Sequence, residues 1–126
     1  MNDAAPLILC ADDDPDILAL LTLRLERAGY RVVQAPDGDR ALALARELSP
    51  AVVVLDVMMP RLSGTEVLAA LRADAATREL RVILISARAQ ESDVEKGLAA
   101  GADAYLAKPF QAPELTDLVK RMVDGG

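Results

Sequence analysis

The chain has 126 residues, 52% hydrophobic and only 2% aromatic, with 14 Lys and Arg against 20 Asp and Glu for a net charge of −6. That length makes one domain with an aliphatic core, and the composition argues against disorder, base-stacking platforms and a basic face for direct nucleic-acid binding. The absence of His removes the Ser-His-Asp triad, His-ligated zinc and imidazole acid–base chemistry, and the lone Cys10 cannot make an internal disulfide, which fits a reducing, cytoplasmic setting.

The first six residues carry no basic n-region, so no signal peptide is expected, and no apolar run reaches the roughly 18 residues of a membrane span. Residues 7–11 form an apolar strand, β1, that runs into Asp12-Asp13-Asp14. Ile17, Leu20, Leu21, Leu23 and Leu25 then recur along a helix, α1, closed by Gly29. Residues 31–35 read as strand β2, Pro36-Asp37-Gly38 as a turn, and residues 40–48 as helix α2. Ser49-Pro50 breaks that helix, and residues 51–55 are the most β-like run in the chain, β3. A loop over 60–64 leads into helix α3 at 65–73, with Gly64 and Thr65 as its start. Strand β4 follows at 81–85, helix α4 at 91–100 closed by Gly101, a short strand β5 at 104–106, and helix α5 at 113–123. Asp124-Gly125-Gly126 reads as a tail or the start of a linker, and residues 1–126 as one domain.

Five βα units in succession predict an α/β fold with a parallel sheet between two helical layers. The strands are nearly continuous in apolar residues, as strands buried on both faces should be. Crossovers in such sheets are right-handed, and ligands bind beyond the carboxyl ends of the strands. Those ends carry carboxylates, a hydroxyl and an ammonium in this chain. β1 ends in Asp12-Asp13-Asp14, β3 in Asp56, β4 in Ser86, and β5 is followed by Lys108-Pro109. Clustered carboxylates repel one another and invite a cation; a hard divalent ion such as Mg2+ (or Mn2+) takes a few carboxylates and keeps several waters. Lys is a point charge suited to a phosphoryl oxygen, and Ser is a neutral donor. With no His, and with Cys10 inside a strand, the obvious nucleophile is a carboxylate, and its attack on phosphorus would make an acyl phosphate. The residues therefore point to Mg2+-dependent phosphoryl transfer onto an aspartate.

Four segments in this order resemble the receiver domain of two-component response regulators. They are Ile8-Leu9-Cys10-Ala11-Asp12-Asp13-Asp14-Pro15, Val53-Val54-Leu55-Asp56-Val57-Met58-Met59-Pro60, Ile83-Leu84-Ile85-Ser86-Ala87, and Gly101-Ala102-Asp103-Ala104-Tyr105-Leu106-Ala107-Lys108-Pro109-Phe110. The resemblance runs from Leu7 to about Val123. It implies a flavodoxin-like three-layer sandwich, a five-stranded parallel sheet of order 2-1-3-4-5 with five helices. It implies that Asp56 accepts a phosphoryl group from a histidine kinase or histidine phosphotransfer protein. Asp12, Asp13, Asp56 and the backbone carbonyl of Met58 would hold the metal. Ser86 and Lys108 would bind the phosphoryl oxygens, Ser86 and Tyr105 would switch the α4-β5-α5 face towards a downstream effector, and the bond before Pro109 would be cis.

Simpler readings apply to several of the same residues. Asp14 before Pro15 is an N-cap, Cys10 is a buried strand residue without reactivity, and Tyr105 is either a switch or half-buried packing with a wet hydroxyl. The thioethers of Met58 and Met59 are too soft for this cation. The resemblance also implies that Met58 and Arg88 flank the path of the hydrolytic water, and their bulk and charge suggest a long-lived phosphorylated state. Ala104, Leu118 and Met122 are uncharged where the family's DNA-binding branch pairs charges, which leaves Leu118 as a candidate exposed contact. The expected protein is a signalling domain that catalyses only its own phosphoryl transfer and slow autodephosphorylation. The alternatives are an aspartyl phosphohydrolase, for which the chain lacks a cap and the Asp-x-Asp-x-Thr pattern, and a degenerate receiver that binds partners without phosphorylation.

Overall fold

The computed structural model describes residues 5–125; the first four residues, to which part of the signal-peptide expectation belongs, and Gly126 lie outside the described residues. The elements are β1 (Leu7–Ala11), α1 (Pro15–Arg27), β2 (Arg31–Ala35), α2 (Gly38–Leu48), β3 (Val52–Asp56), α3 (Gly64–Ala73), β4 (Arg81–Ser86), α4 (Glu91–Ala99), β5 (Ala104–Ala107) and α5 (Ala112–Val123). All five strands are parallel, in the order β2-β1-β3-β4-β5.

Side-chain alternation along each strand builds two cores. Leu9, Val53, Leu55, Val82 and Leu84 face one layer and pack with Ala41 and Leu44 of α2 and Val67, Leu68 and Leu71 of α3. Ile8, Cys10, Val52, Val54, Ile83 and Ile85 face the other and pack with Leu18, Leu21 and Leu25 of α1 and Leu115 and Val119 of α5. Strands β1, β3 and β4 are therefore buried on both faces, which is why their sequences are apolar without interruption. The strand order reverses between β1 and β3, so a crevice opens between their carboxyl ends.

Local chemistry sets the helix starts. The Asp14 carboxylate accepts from the Asp16 amide at 2.9 Å with Pro15 in the first turn, as the N-cap reading expects. Ser63 and Glu66 form a reciprocal capping box at the start of α3. The turn expected at 36–38 is instead a helix start: Asp37 caps α2 by accepting from the Arg40 amide at 2.8 Å, so the helix begins at Gly38 rather than at residue 40.

Other boundaries move by a residue or two. β3 and β4 each run one residue further than expected, because Asp56 stays in register with Ile85 and Ser86 with Ala107. In α1, Leu20 and Leu23 are exposed while Leu18 carries the packing; three of the five expected positions, Ile17, Leu21 and Leu25, pack inward. Leu118, expected as an exposed contact, is half-buried against the α5 core. No helix among the described residues is long and apolar enough to cross a membrane.

Candidate functional site

The crevice between β1 and β3 collects the predicted residues. Asp12 follows β1 and is fully buried, Asp13 beside it is exposed, and Asp56 closes β3 at 5% exposure. One carboxylate oxygen from each lies within 4.8 Å of the others. Lys108, just after β5, reaches across with Nζ 2.8 Å from Asp12 Oδ2 and 3.3 Å from Asp56 Oδ2. Three chain segments, those that follow β1, β3 and β5, thus meet at one rim.

Backbone contacts hold the rim in place. The Asp14 amide donates to Asp12 Oδ1 at 3.0 Å, so both oxygens of Asp12 are engaged. The Met58 amide donates to Asp56 Oδ1 at 3.3 Å. The Val57 amide bonds the Ile85 carbonyl and the Lys108 amide bonds the Ser86 carbonyl, each at 2.9 Å, which ties the ends of β3, β4 and β5 together. Gly64 allows α3 to start directly on the end of β3, because a Cβ there would stand 2.4 Å from the Asp56 carbonyl oxygen. Gly38 does the same for the loop after β3: a Cβ would stand 2.0 Å from the Leu62 carbonyl oxygen.

The electrostatics follow from burial. Desolvation and the neighbouring Asp12 charge push the Asp56 carboxyl up from 3.8 to about 6, against the pull of Lys108 and the Met58 amide. Burial by itself would lower the Lys108 pKa; the bond to Asp12 and the charges of Asp56 and Asp12 outweigh it and raise the pKa. The site is thus short of positive charge, with one ammonium for three carboxylates. The donor set is oxygen alone, which suits a hard divalent cation held by Asp12, Asp13 and Asp56.

The remaining expected residues lie in the strands and in the loops that follow them. Ser86 is fully buried, and its Oγ accepts from the Arg88 amide at 3.0 Å. Tyr105 is half-buried, and its hydroxyl donates to the Arg88 carbonyl at an exposed position. Met58 is 56% exposed, and the Arg88 side chain is exposed as well. The Lys108–Pro109 peptide is cis. Cys10 is buried, with its thiol pushed up to about 12 by desolvation, in keeping with an unreactive strand residue.

Sequence reasoning missed four supports. Gly38 and Gly64 carry no signal beyond ordinary helix starts, since their role depends on what lies above them. The Ser63-x-x-Glu66 box was readable as a capping motif. Arg72 also escaped notice: it donates to the carbonyls of Gly101, Arg78 and Leu80 and to Asp103, joining the end of α3 to the loops that flank β4 and β5.

Fold and rim together define a doubly wound α/β domain with an acidic crevice at its switch point, and comparison with known proteins gives the family. Residues 8–120 match the family model of the response regulator receiver domain, and the chain belongs to that family. Among curated relatives, it is 42% identical over 118 residues to the DNA-binding dual master transcriptional regulator RpaA of Synechocystis, covering 94% of this chain and 49% of that protein. The chain spans about half the length of the curated relatives it matches. Among solved structures, the receiver domain of the Francisella response regulator 1452 matches with a TM-score of 0.91 at 35% identity, covering 95% of this chain and 98% of that one. The receiver domain of the sensor histidine kinase PA1611 from Pseudomonas aeruginosa, with a magnesium ion in its active-site cleft, matches at a TM-score of 0.88 and 31% identity, covering 95% and 98%.

Proposed function

We propose that Asp56 is the phosphoacceptor of this receiver domain, that residues 1–126 act as one such domain, and that the phosphodonor is a histidine kinase or histidine phosphotransfer protein. The observation that carries the reading is the convergence of Asp12, Asp13, Asp56 and Lys108 on one crevice. Asp12, Asp13, Asp56 and the Met58 carbonyl would hold Mg2+ or Mn2+, in line with the magnesium in the related Pseudomonas domain. Bound there, the cation supplies charge neutralisation for the phosphoryl oxygens.

The chain's own residues do the rest. Asp56 Oδ attacks phosphorus in line as the donor's P–N bond breaks, and the donor nitrogen leaves with that electron pair. Lys108 moves its charge from the carboxylates to a phosphoryl oxygen. Ser86 Oγ turns towards another, which releases the Arg88 amide it now accepts from. The Arg88 carbonyl is also the anchor of the Tyr105 hydroxyl. One residue of the β4–α4 loop therefore joins the phosphoryl end of the switch to the aromatic end, and its displacement would repopulate the α4-β5-α5 face for a downstream effector. Met58 and Arg88, both exposed at the mouth, would screen the acyl phosphate from water and lengthen its life.

The test is intact mass after incubation with Mg2+ and acetyl phosphate. One phosphoryl group should be added, dependent on metal and absent in Asp56→Ala. Full labelling of that variant would overturn the assignment, and turnover of free phosphate esters would favour a hydrolase.

A further inference from the structure

Gly97 lies in the interior of α4 and is the buried residue of that helix. Glycine is unfavourable inside a helix, so the position needs a reason. The reason is space rather than backbone freedom. A Cβ at 97 would stand 2.8 Å from Tyr105 Cδ2, 3.0 Å from Tyr105 Cε2 and 3.1 Å from Leu84 Cδ1. The first of these is closer than side chains approach, and both ring atoms belong to a rigid group that cannot yield by changing a terminal rotamer. Leu84, the register partner of Tyr105 on the neighbouring strand, is fully buried, so the ring has no room on that side. Towards solvent it can move, into the groove of about 360 Å³ bordered by Met58, Thr65, Arg88 and Lys96.

We propose that Gly97 is the positioning residue of the switch. Its missing side chain forms the seat on which the Tyr105 ring lies against α4. That seat keeps the Tyr105 hydroxyl on the Arg88 carbonyl and, through the Arg88 amide, in line with Ser86. The inference rests on the reading of Ser86 and Tyr105 as the switch. A methyl group at 97 would drive the ring outward and uncouple it from the loop, while Asp12, Asp13, Asp56 and Lys108 stay as they are.

The chain has two Tyr and no Trp, so Tyr30→Phe leaves Tyr105 as the sole tyrosine. With 3-fluorotyrosine in that background, 19F NMR reports the ring directly. Gly97→Ala should move the resonance towards that of the free amino acid and enlarge its solvent isotope shift, while acetyl phosphate still labels Asp56. Ala99→Gly, on the exposed side of the same helix, should leave the resonance in place. An unmoved resonance in Gly97→Ala, or equal movement in Ala99→Gly, would overturn the proposal. Urea unfolding provides a second measure. Gly97→Ala should lower the midpoint when Tyr105 is present and lower it less, or raise it, in a Tyr105→Ala background, where the Leu84 contact and the helix preference for Ala remain. An equal lowering in both backgrounds would overturn the seat. Beryllofluoride with Mg2+, added to the chain with Gly97 intact, separates the two readings: a Tyr105 resonance that ignores it in a chain that labels normally would overturn the switch itself.

Discussion

Asp56→Asn should stabilise the metal-free chain at neutral pH. The carboxyl is held at about 6 in the fold against 3.8 ordinarily, chiefly by burial and then by the Asp12 charge. The folded state therefore binds its proton more tightly than the unfolded one. Stability falls as pH rises between those two values, and the whole penalty, about 3 kcal/mol, is present above the folded value. The amide removes that penalty. It keeps an acceptor for the Met58 amide at 3.3 Å, loses the ion pair with Lys108, and brings two N–H groups that need partners. Those losses bring the expected gain to about 1–2 kcal/mol. For a chain of this length that is a rise of about 4–8 °C in Tm. The assay is urea unfolding with EDTA at pH about 7.5 and about 5, where close to half of the penalty should remain. Added Mg2+ should narrow the gap by stabilising the wild type more than the variant. A variant less stable than wild type at the higher pH, or a gain independent of pH, would refute the account of a crevice with excess negative charge.

Three further outcomes are expected. Asp13→Ala should weaken Mg2+ binding at least about tenfold by isothermal titration, since a hard cation loses one of its carboxylates; unchanged affinity would place the ion elsewhere. Arg72→Met should cost about 2–4 kcal/mol in urea unfolding, because it strands the carbonyls of Gly101, Arg78 and Leu80 and leaves Asp103 to Arg81 and the Val82 amide. A loss below about 0.5 kcal/mol would show that water replaces the guanidinium without penalty. Cys10, buried and with its thiol near 12, should react with a disulfide reagent only on unfolding, so labelling and urea unfolding should coincide.

Particular elements show why the sequence went as far as it did. Strands β1, β3 and β4 were legible because burial on both faces leaves an unbroken apolar run, and a parallel sheet puts every strand's carboxyl end on one rim. Once the strands were placed, Asp12, Asp13, Asp56, Ser86 and Lys108 had to share that rim, whatever their distances. The N-cap role of Asp14 was likewise local, fixed by the chemistry of one turn.

What only the tertiary structure decided depends on neighbours distant in sequence. Ile17, Leu20, Leu21, Leu23 and Leu25 recur along α1, yet Leu20 and Leu23 face solvent, because the sheet covers less than the full apolar width of α1. Half-buried Leu118 was expected at the surface because nothing local reports the packing of α5. The Tyr105 hydroxyl finds the Arg88 carbonyl across 17 residues, and Lys108 finds Asp12 across 96. Gly38, Gly64 and Gly97 are three ordinary glycines in the sequence; each is required by an atom of another segment that stands where its Cβ would be. Composition and periodicity encode what a residue prefers. Excluded volume and charge between segments are properties of the assembled chain, and they decide how the rim is braced and where the Tyr105 ring lies.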